Sequence, residues 1–535
     1  MNPHQPSRGS TRTLVVGLDG CSWNVLEPLL ASGRLPNLSE LRSAGAHGVL
    51  ESTIPFYTGP AWASFATGSS PAAHGVYDFM MLRAGDEMSP ACAADLRRTT
   101  YYELLAREGK RSVLVNLPLD QDDCEGAVIV NSWLTVDEAR RIFPLDRRER
   151  YRRALAAYQS YPTTFGASLD THVDDLCALE ESRFELALEL LRGEEWDHFF
   201  ILFSSPDWLG HAATGLFLAG DPGARSAFLR LYEQLDAYVG RLREQAPDAT
   251  LVVLSDHGQC EETHVVHVNG VLHELGLARL LRERPTEVDA ALADDALRAT
   301  VRVPLALRRL RSNPILRPAA RLAKRSLRRG LGVELVTPER GLEVDRVLSR
   351  AFTPTIASYA VYTRDCDQSE LDRIREALAD LRLDEGRAVF DGVWTFDELY
   401  GREPPPPAPT FVYAPSLGVR PSIRVTSPFI EHVRQQGRGA HQRDGIVLLA
   451  GAEVAPGQLG RPALYDLCPT LLWLMEAPIP ADADGRVLFE AFTEKAVERR
   501  ERREVDAVAA AAGRPAISSR SSAEVEQRLR ALGYL

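Results

Sequence analysis

Residues 255–258 read Ser-Asp-His-Gly and directly follow the apolar run "TLVVL" (250–254). A carboxylate and an imidazole side by side where a strand ends can share one metal ion. Alone, the same four residues also make an ordinary turn, because Asp and Gly commonly terminate strands. Other segments add to the first reading. Asp19 ends the apolar run "LVVGLD", and Asp207 and His211 stand four apart in "SSPDWLGH", after "HFFILFSS". On a helical turn that spacing puts both side chains on one face. His441 lies in "GAHQRDG", just before "IVLLAG". Three carboxylates and three imidazoles gathered at strand ends, with no cysteine among them, suit zinc, manganese or iron.

A nucleophile would come from "STIPFYTGPAWASFATG" (52–68). Thr58 is followed by Gly59 and Pro60 and then by a helix-like run. Pro favours the first helical turn, so Thr58 is expected near the N-cap. A helix start offers free N–H groups to an anion. A Thr hydroxyl there, bound to a divalent metal, loses its proton readily and can attack phosphorus. The plainer role is a cap worth about 1 kcal/mol. Ser52, Thr53 and Ser64 are weaker candidates, since none combines hydroxyl, Gly-Pro turn and helix start.

These residues need a scaffold. The runs "TLVVGLD" (13–19), "SVLVNLP" (112–118), "AVIVNSW" (127–133), "HFFILFSS" (198–205), "TLVVLSD" (250–256) and "GIVLLAG" (445–451) are near-continuously apolar. That is the pattern of buried parallel strands covered on both faces. Amphipathic stretches at 36–45, 182–193 and 227–245 lie between them. Alternating strand and helix predicts an α/β fold with a doubly wound, mostly parallel sheet, and chemistry at the carboxyl ends of its strands. The expected organisation is a core over 1–280 with a helical insertion near 135–180. An inserted cap over 281–435, a return to the core over 436–495, and a charged linker and helix over 496–535 follow. The cap holds a stretch at 302–330 with ten Lys/Arg and no acid, and the Pro-rich "REPPPPAPT" (402–410). A solvated helical face explains the basic stretch most simply. Weak contact with an anionic membrane surface or an anionic substrate is the alternative.

The chain has 535 residues and a formal net charge of −12. That balance argues against coating a nucleic-acid polymer, which usually takes a basic domain. It leaves a small anionic substrate open, since a local metal overrides the global sign. The seven cysteines are scattered without a CxxC pair, so neither a disulfide framework nor a cysteine zinc site is expected. With no signal-like leader and no long apolar run, the expected location is cytoplasmic.

The set of motifs resembles the alkaline phosphatase superfamily, and more closely its type I phosphodiesterase/nucleotide pyrophosphatase branch. The matching stretches are "VVGLDG" (15–20), "GRLPNLSELRSAGAHG" (33–48), "PFYTGPAWASFATGSSPAAHGVYDF" (55–79), "PDWLGH" (206–211), "SDHG" (255–258), "GAHQRDGIVLLAG" (439–451) and "LYDLCPTLLWLMEAPIPADADGRVL" (464–488). They come in the family's order. The resemblance implies two adjacent divalent ions, zinc first, with manganese or iron also suited. One would be held by Asp207, His211 and His441, the other by Asp19, Asp256, His257 and Thr58. It also makes Thr58 the nucleophile of a two-step hydrolysis of a small phosphate ester through a phospho-threonine. For the late histidine, His264, His267, His273 and His432 are the alternatives to His441, and His74 is expected to be structural. A sulfatase is disfavoured because Thr58 cannot become formylglycine. A phosphomonoesterase, a phosphotransferase or a noncatalytic phosphate-ester-binding protein remain alternatives. Substrate and oligomeric state stay open.

Overall fold

The computed structural model describes residues 11–83, 87–164, 168–281, 343–356, 358–433, 437–506 and 519–532. The basic stretch 302–330, with the membrane contact considered for it, lies outside the described residues.

The centre is a nine-stranded sheet. From edge to edge its strands are Gly457–Gln458, Ala46–Glu51, Asp444–Ala450, Thr250–Leu254, Thr13–Leu18, His198–Phe203, Ser112–Val115, Ala127–Val130 and Ile142–Phe143. Thr13–Leu18 pairs in parallel with both His198–Phe203 and Thr250–Leu254. The strands are apolar at nearly every position because both faces are covered. Leu14, Val16 and Leu18 enter one cluster with Phe199, Ile201 and Phe203, while Val15 enters the other with Phe200 and Leu202. Successive side chains point to opposite faces, so a strand buried on both sides shows no polar alternation. Helices Trp23–Ala31, Pro36–Ala44, Leu169–Gly193, Ser205–Leu218 and Pro222–Gln245 cover the first face. Thr58–Thr67, Tyr101–Arg107 and Leu467–Leu474 cover the second.

One expectation about the sheet is corrected. The strand containing "IVLLA" was expected to be parallel, but Asp444–Ala450 runs antiparallel to both neighbours, Thr250–Leu254 and Ala46–Glu51. An apolar run carries no direction. The reversed direction lets His441, which precedes its strand, reach the edge where Asp19 and Asp256 follow theirs.

Between Thr250–Leu254 and Asp444–Ala450 in the chain, the described residues form a four-stranded sheet in the order Ala351–Phe352, Ala360–Thr363, Phe411–Pro415, Phe390–Trp394. Helix Gln368–Ala379 buries Ile374 and Leu378 beside it. A further three strands, Val419–Ser422, His264–His267 and Ile430–His432, tie this region to the core. A short antiparallel pair, Gly258–Glu261 with Gly439–Gln442, sets Gln259 opposite His441.

Candidate metal centre

Each candidate side chain stands at the carboxyl edge of the sheet. Asp19 is the first residue past Thr13–Leu18, and its N–H donates to the Phe203 carbonyl at 3.0 Å. Gly20 then turns the chain at φ +65°, in the left-handed region, and its N–H donates to Asp256 Oδ1 at 3.3 Å. Asp256 and His257 follow Thr250–Leu254 after Ser255. Asp207 and His211 lie in the first turns of helix Ser205–Leu218.

The residues form two triads. Within each of Asp207–His211–His441 and Asp19–Asp256–His257, one donor atom per residue lies within 4.8 Å of the others. His441 Nε2 is 3.3 Å from Asp207 Oδ1, and His211 Nε2 is 3.5 Å from the same oxygen. His257 Nε2 is 3.4 Å from Asp256 Oδ2 and 3.7 Å from Asp19 Oδ1. The triads touch, since the His257 and His441 rings stack with centroids 4.0 Å apart.

Thr58 is the first residue of helix Thr58–Thr67, and Tyr57, with extended backbone, is the N-cap. The expected position is thus shifted by one residue, because Pro60 fits any place in a first turn that lacks intrahelical N–H partners. The Thr58 hydroxyl lies 3.3 Å from His257 Nε2. Thr58, Asp19, Asp207, Asp256, His257 and His441 are all buried.

The electrostatics follow from this crowding. Burial pushes Asp19 well above the usual carboxylate range, and the neighbouring charges of Asp256 and Asp207 push it further. Burial also raises Asp256, partly opposed by His257. Burial acts upward on Asp207 too, but His211 and His441 outweigh it and hold this carboxyl below its ordinary value. Burial lowers His441 to about 3, helped by His257, and lowers His211 against the pull of Asp207. Asp19 Oδ1 and Asp256 Oδ2 are buried without a hydrogen-bond partner. Buried carboxylate oxygens in that state are strongly unfavourable unless a cation satisfies them. Two such oxygens beside an imidazole make a donor set that fits a divalent ion.

The other histidines are elsewhere. His264 and His432 pack ring to ring at 4.3 Å on neighbouring strands. His273 Nδ1 lies 2.9 Å from the Ala278 carbonyl. His267 Nε2 faces Glu431 Oε1 at 3.8 Å. His74 Nε2 is 2.9 Å from Ser64 Oγ, which joins the short helix Pro71–His74 to helix Thr58–Thr67.

Sequence reasoning missed three neighbours. The Tyr57 ring lies 4.6 Å from that of His441. Tyr359 packs edge-on to Tyr57 at 5.8 Å and holds φ +42°. It comes from the inserted region, so no local spacing pointed to it. Gln259 Nε2 donates to Asp207 Oδ1 at 2.5 Å. Its one signal was its place two residues after His257.

The chain matches the family described as type I phosphodiesterase / nucleotide pyrophosphatase over residues 13–315. Among solved structures it resembles phosphonoacetate hydrolase from Sinorhizobium meliloti 1021 in complex with phosphonoformate. There the TM-score is 0.56 at 18% identity, covering 89% of this chain and 98% of that one. It also resembles inactive murine ectonucleotide pyrophosphatase/phosphodiesterase 5 in complex with AMP, with TM-score 0.50 at 13% identity, covering 90% of this chain and 98% of that one. At these identities the structural likeness is one of fold.

Proposed function

The chain belongs to the type I phosphodiesterase/nucleotide pyrophosphatase family, whose members are phosphoester hydrolases, and on that premise we propose that it cleaves small phosphodiesters through Thr58 at a two-metal site. The observation that carries this reading is the Thr58 hydroxyl, at a helix start, 3.3 Å from a histidine of one buried triad whose ring stacks on a histidine of the other. Asp207, His211 and His441 would hold one ion. Asp19, Asp256, His257 and the Thr58 hydroxyl would hold the second. Oxygen and nitrogen donors without sulfur suit zinc first, with manganese or iron also suited.

When bound, the ions supply Lewis-acid stabilisation of the phosphoryl oxygens and lower the pKa of an oxygen ligand. The rest is the work of the chain. The Thr58 hydroxyl gives up its proton, Oγ attacks phosphorus, an Oγ–P bond forms, and the P–O bond to the leaving group breaks, the departing oxygen taking a proton from solvent. Water then cleaves the Oγ–P bond of the phospho-threonine and restores Thr58. The helix start directs the Gly59 N–H toward charge that develops on the phosphoryl oxygens. Burial of the site excludes bulk water, which strengthens each of these interactions. Tyr57, next to Thr58, is buried and packs against His441 and Tyr359, which fixes the wall behind the nucleophile.

No helix among the described residues is long and apolar enough to cross a membrane. All seven cysteines are free.

The deciding assay compares hydrolysis of bis-p-nitrophenyl phosphate and p-nitrophenyl phosphate with added zinc or manganese. Diester turnover that vanishes in Thr58→Ala and after chelation is the expected result. Preference for the monoester would replace the diesterase reading, and activity surviving in Thr58→Ala would remove the nucleophile assignment.

A further inference from the structure

Gln259 is buried and stands beside Asp207. It shares a chain segment with Asp256 and His257, and it stands opposite His441 in the short antiparallel pair. Its amide nitrogen donates twice to one residue, to Asp207 Oδ1 at 2.5 Å and to the Asp207 carbonyl at 2.9 Å. Its amide oxygen accepts from Thr214 Oγ1 at 3.3 Å, on the same helix as Asp207. The opposite amide orientation would set an oxygen against two oxygens of Asp207, so the network itself assigns the flip. The main chain is anchored as well, since the Gln259 carbonyl accepts from Asn24 Nδ2 at 2.8 Å.

The surrounding backbone makes room for this amide. A Cβ on Gly210 would fall 2.3 Å from Gln259 Oε1, and one on Gly439 would fall 2.5 Å from it. A side chain at Gly210 would therefore displace the amide, and Gly439 needs glycine because its Cβ would also fall 2.3 Å from the Gly210 carbonyl oxygen. A neutral donor also suits the place better than the alternatives. A glutamate would add a carboxylate against that of Asp207, and a lysine would set a positive charge beside a residue that is to bind a cation.

We propose that Gln259 is a positioning residue that locks the Asp207 carboxylate in one orientation. It acts through Asp207 and makes no contact with substrate. The inference rests on the two-metal reading above. Loss of a hydrogen-bonding partner behind a metal ligand typically weakens metal binding about 10–100-fold.

The test is calorimetric titration of zinc into the metal-free full chain, for the wild type, Gln259→Met and Thr214→Val. Methionine keeps the length and removes the donors. Valine keeps the shape of Thr214 and removes the hydroxyl that orients the amide, which guards against a Gln259 variant that fails to fold. The expected result is two ions bound by the wild type. In Gln259→Met one ion keeps its affinity and the other is weakened about 10–100-fold, with a smaller shift in Thr214→Val. The unfolding temperature of the metal-free protein stays unchanged in Thr214→Val, and excess zinc restores kcat in both variants. Two ions of unchanged affinity in both variants would overturn the role of Gln259 and leave the two-metal reading standing. Fewer than two ions in the wild type would overturn that reading first, and this inference with it.

Discussion

His441 Nε2 lies 2.9 Å from His211 Nε2, across 230 residues of chain. Both nitrogens also face Asp207 Oδ1. Burial favours the neutral form of each ring. Two neutral imidazoles that present lone pairs to one another at this spacing repel unless a proton or a cation stands between them.

Replacing His441 with Ala removes one donor of the Asp207–His211–His441 triad. Elemental analysis by mass spectrometry of zinc-loaded protein is expected to fall from two ions per chain toward one. The loss of affinity should exceed the ~10–100-fold typical of outer-shell changes. Two tightly held ions in His441→Ala would remove this residue from the centre, and the same measurement on His264→Ala, expected to be unchanged, serves as control.

Thr58→Ala is expected to lower kcat by ~10³-fold or more, as loss of a covalent nucleophile does. Thr58→Ser keeps a hydroxyl and should retain measurable turnover. Acid quenching with a substrate labelled in the phosphoryl group should trap label on the wild type and on Thr58→Ser, and none on Thr58→Ala. Label retained by Thr58→Ala would place the covalent step on another residue.

Behind the site, Glu180 and Arg183 are fully buried and paired at 2.5 Å, one turn apart in helix Leu169–Gly193. Glu180 Oε1 also accepts the Ser205 N–H at 2.8 Å, at the start of the helix that carries Asp207. Arg183→Met leaves the glutamate charged and unpaired, and is expected to destabilise the metal-free protein by about 3–5 kcal/mol. The double change Glu180→Leu/Arg183→Met should recover part of that loss, because no charge stays buried. Urea unfolding of both variants measures the difference, and a single-variant effect below ~1 kcal/mol would count against a tight pair.

Acid should destabilise the fold through two histidines remote from chemistry. Burial lowers both His74 and His198 from the ordinary value of 6.5 to about 3. Between those limits the unfolded chain binds protons that the folded chain refuses, so stability rises with pH there. Their contribution is therefore fully present above about pH 6.5 and is lost progressively as pH falls toward 3, by ~1.4 kcal/mol per pH unit for each group. His198 makes ring contacts of 2.8 Å to Thr13 Oγ1 and 3.0 Å to the Tyr101 hydroxyl. A His198→Gln variant should show a shallower fall in urea midpoint between pH 6.5 and pH 4. An identical slope would mean that His198 is not held neutral.

Much of the layout was legible before the fold was seen. The strand runs stood out because a sheet covered on both faces needs apolar residues at successive positions, as in Leu14 and Val15. The four-residue step from Asp207 to His211 showed a shared helical face because helix geometry is local. Thr58 was legible as a helix-start hydroxyl, though its exact register was not, since the first turn accepts Pro at several positions.

Backbone periodicity and turn chemistry are encoded within a few residues, so the strand ends and the residue types beside them could be read from the chain alone. The tertiary structure alone decided which strand ends meet. It ran Asp444–Ala450 against its neighbours so that His441, and not His264 or His432, faces Asp207. It also brought Gln259 against Asp207 and Tyr359 against Tyr57. Those contacts join segments far apart in the chain, and their free energy depends on burial and on distances that no local pattern carries.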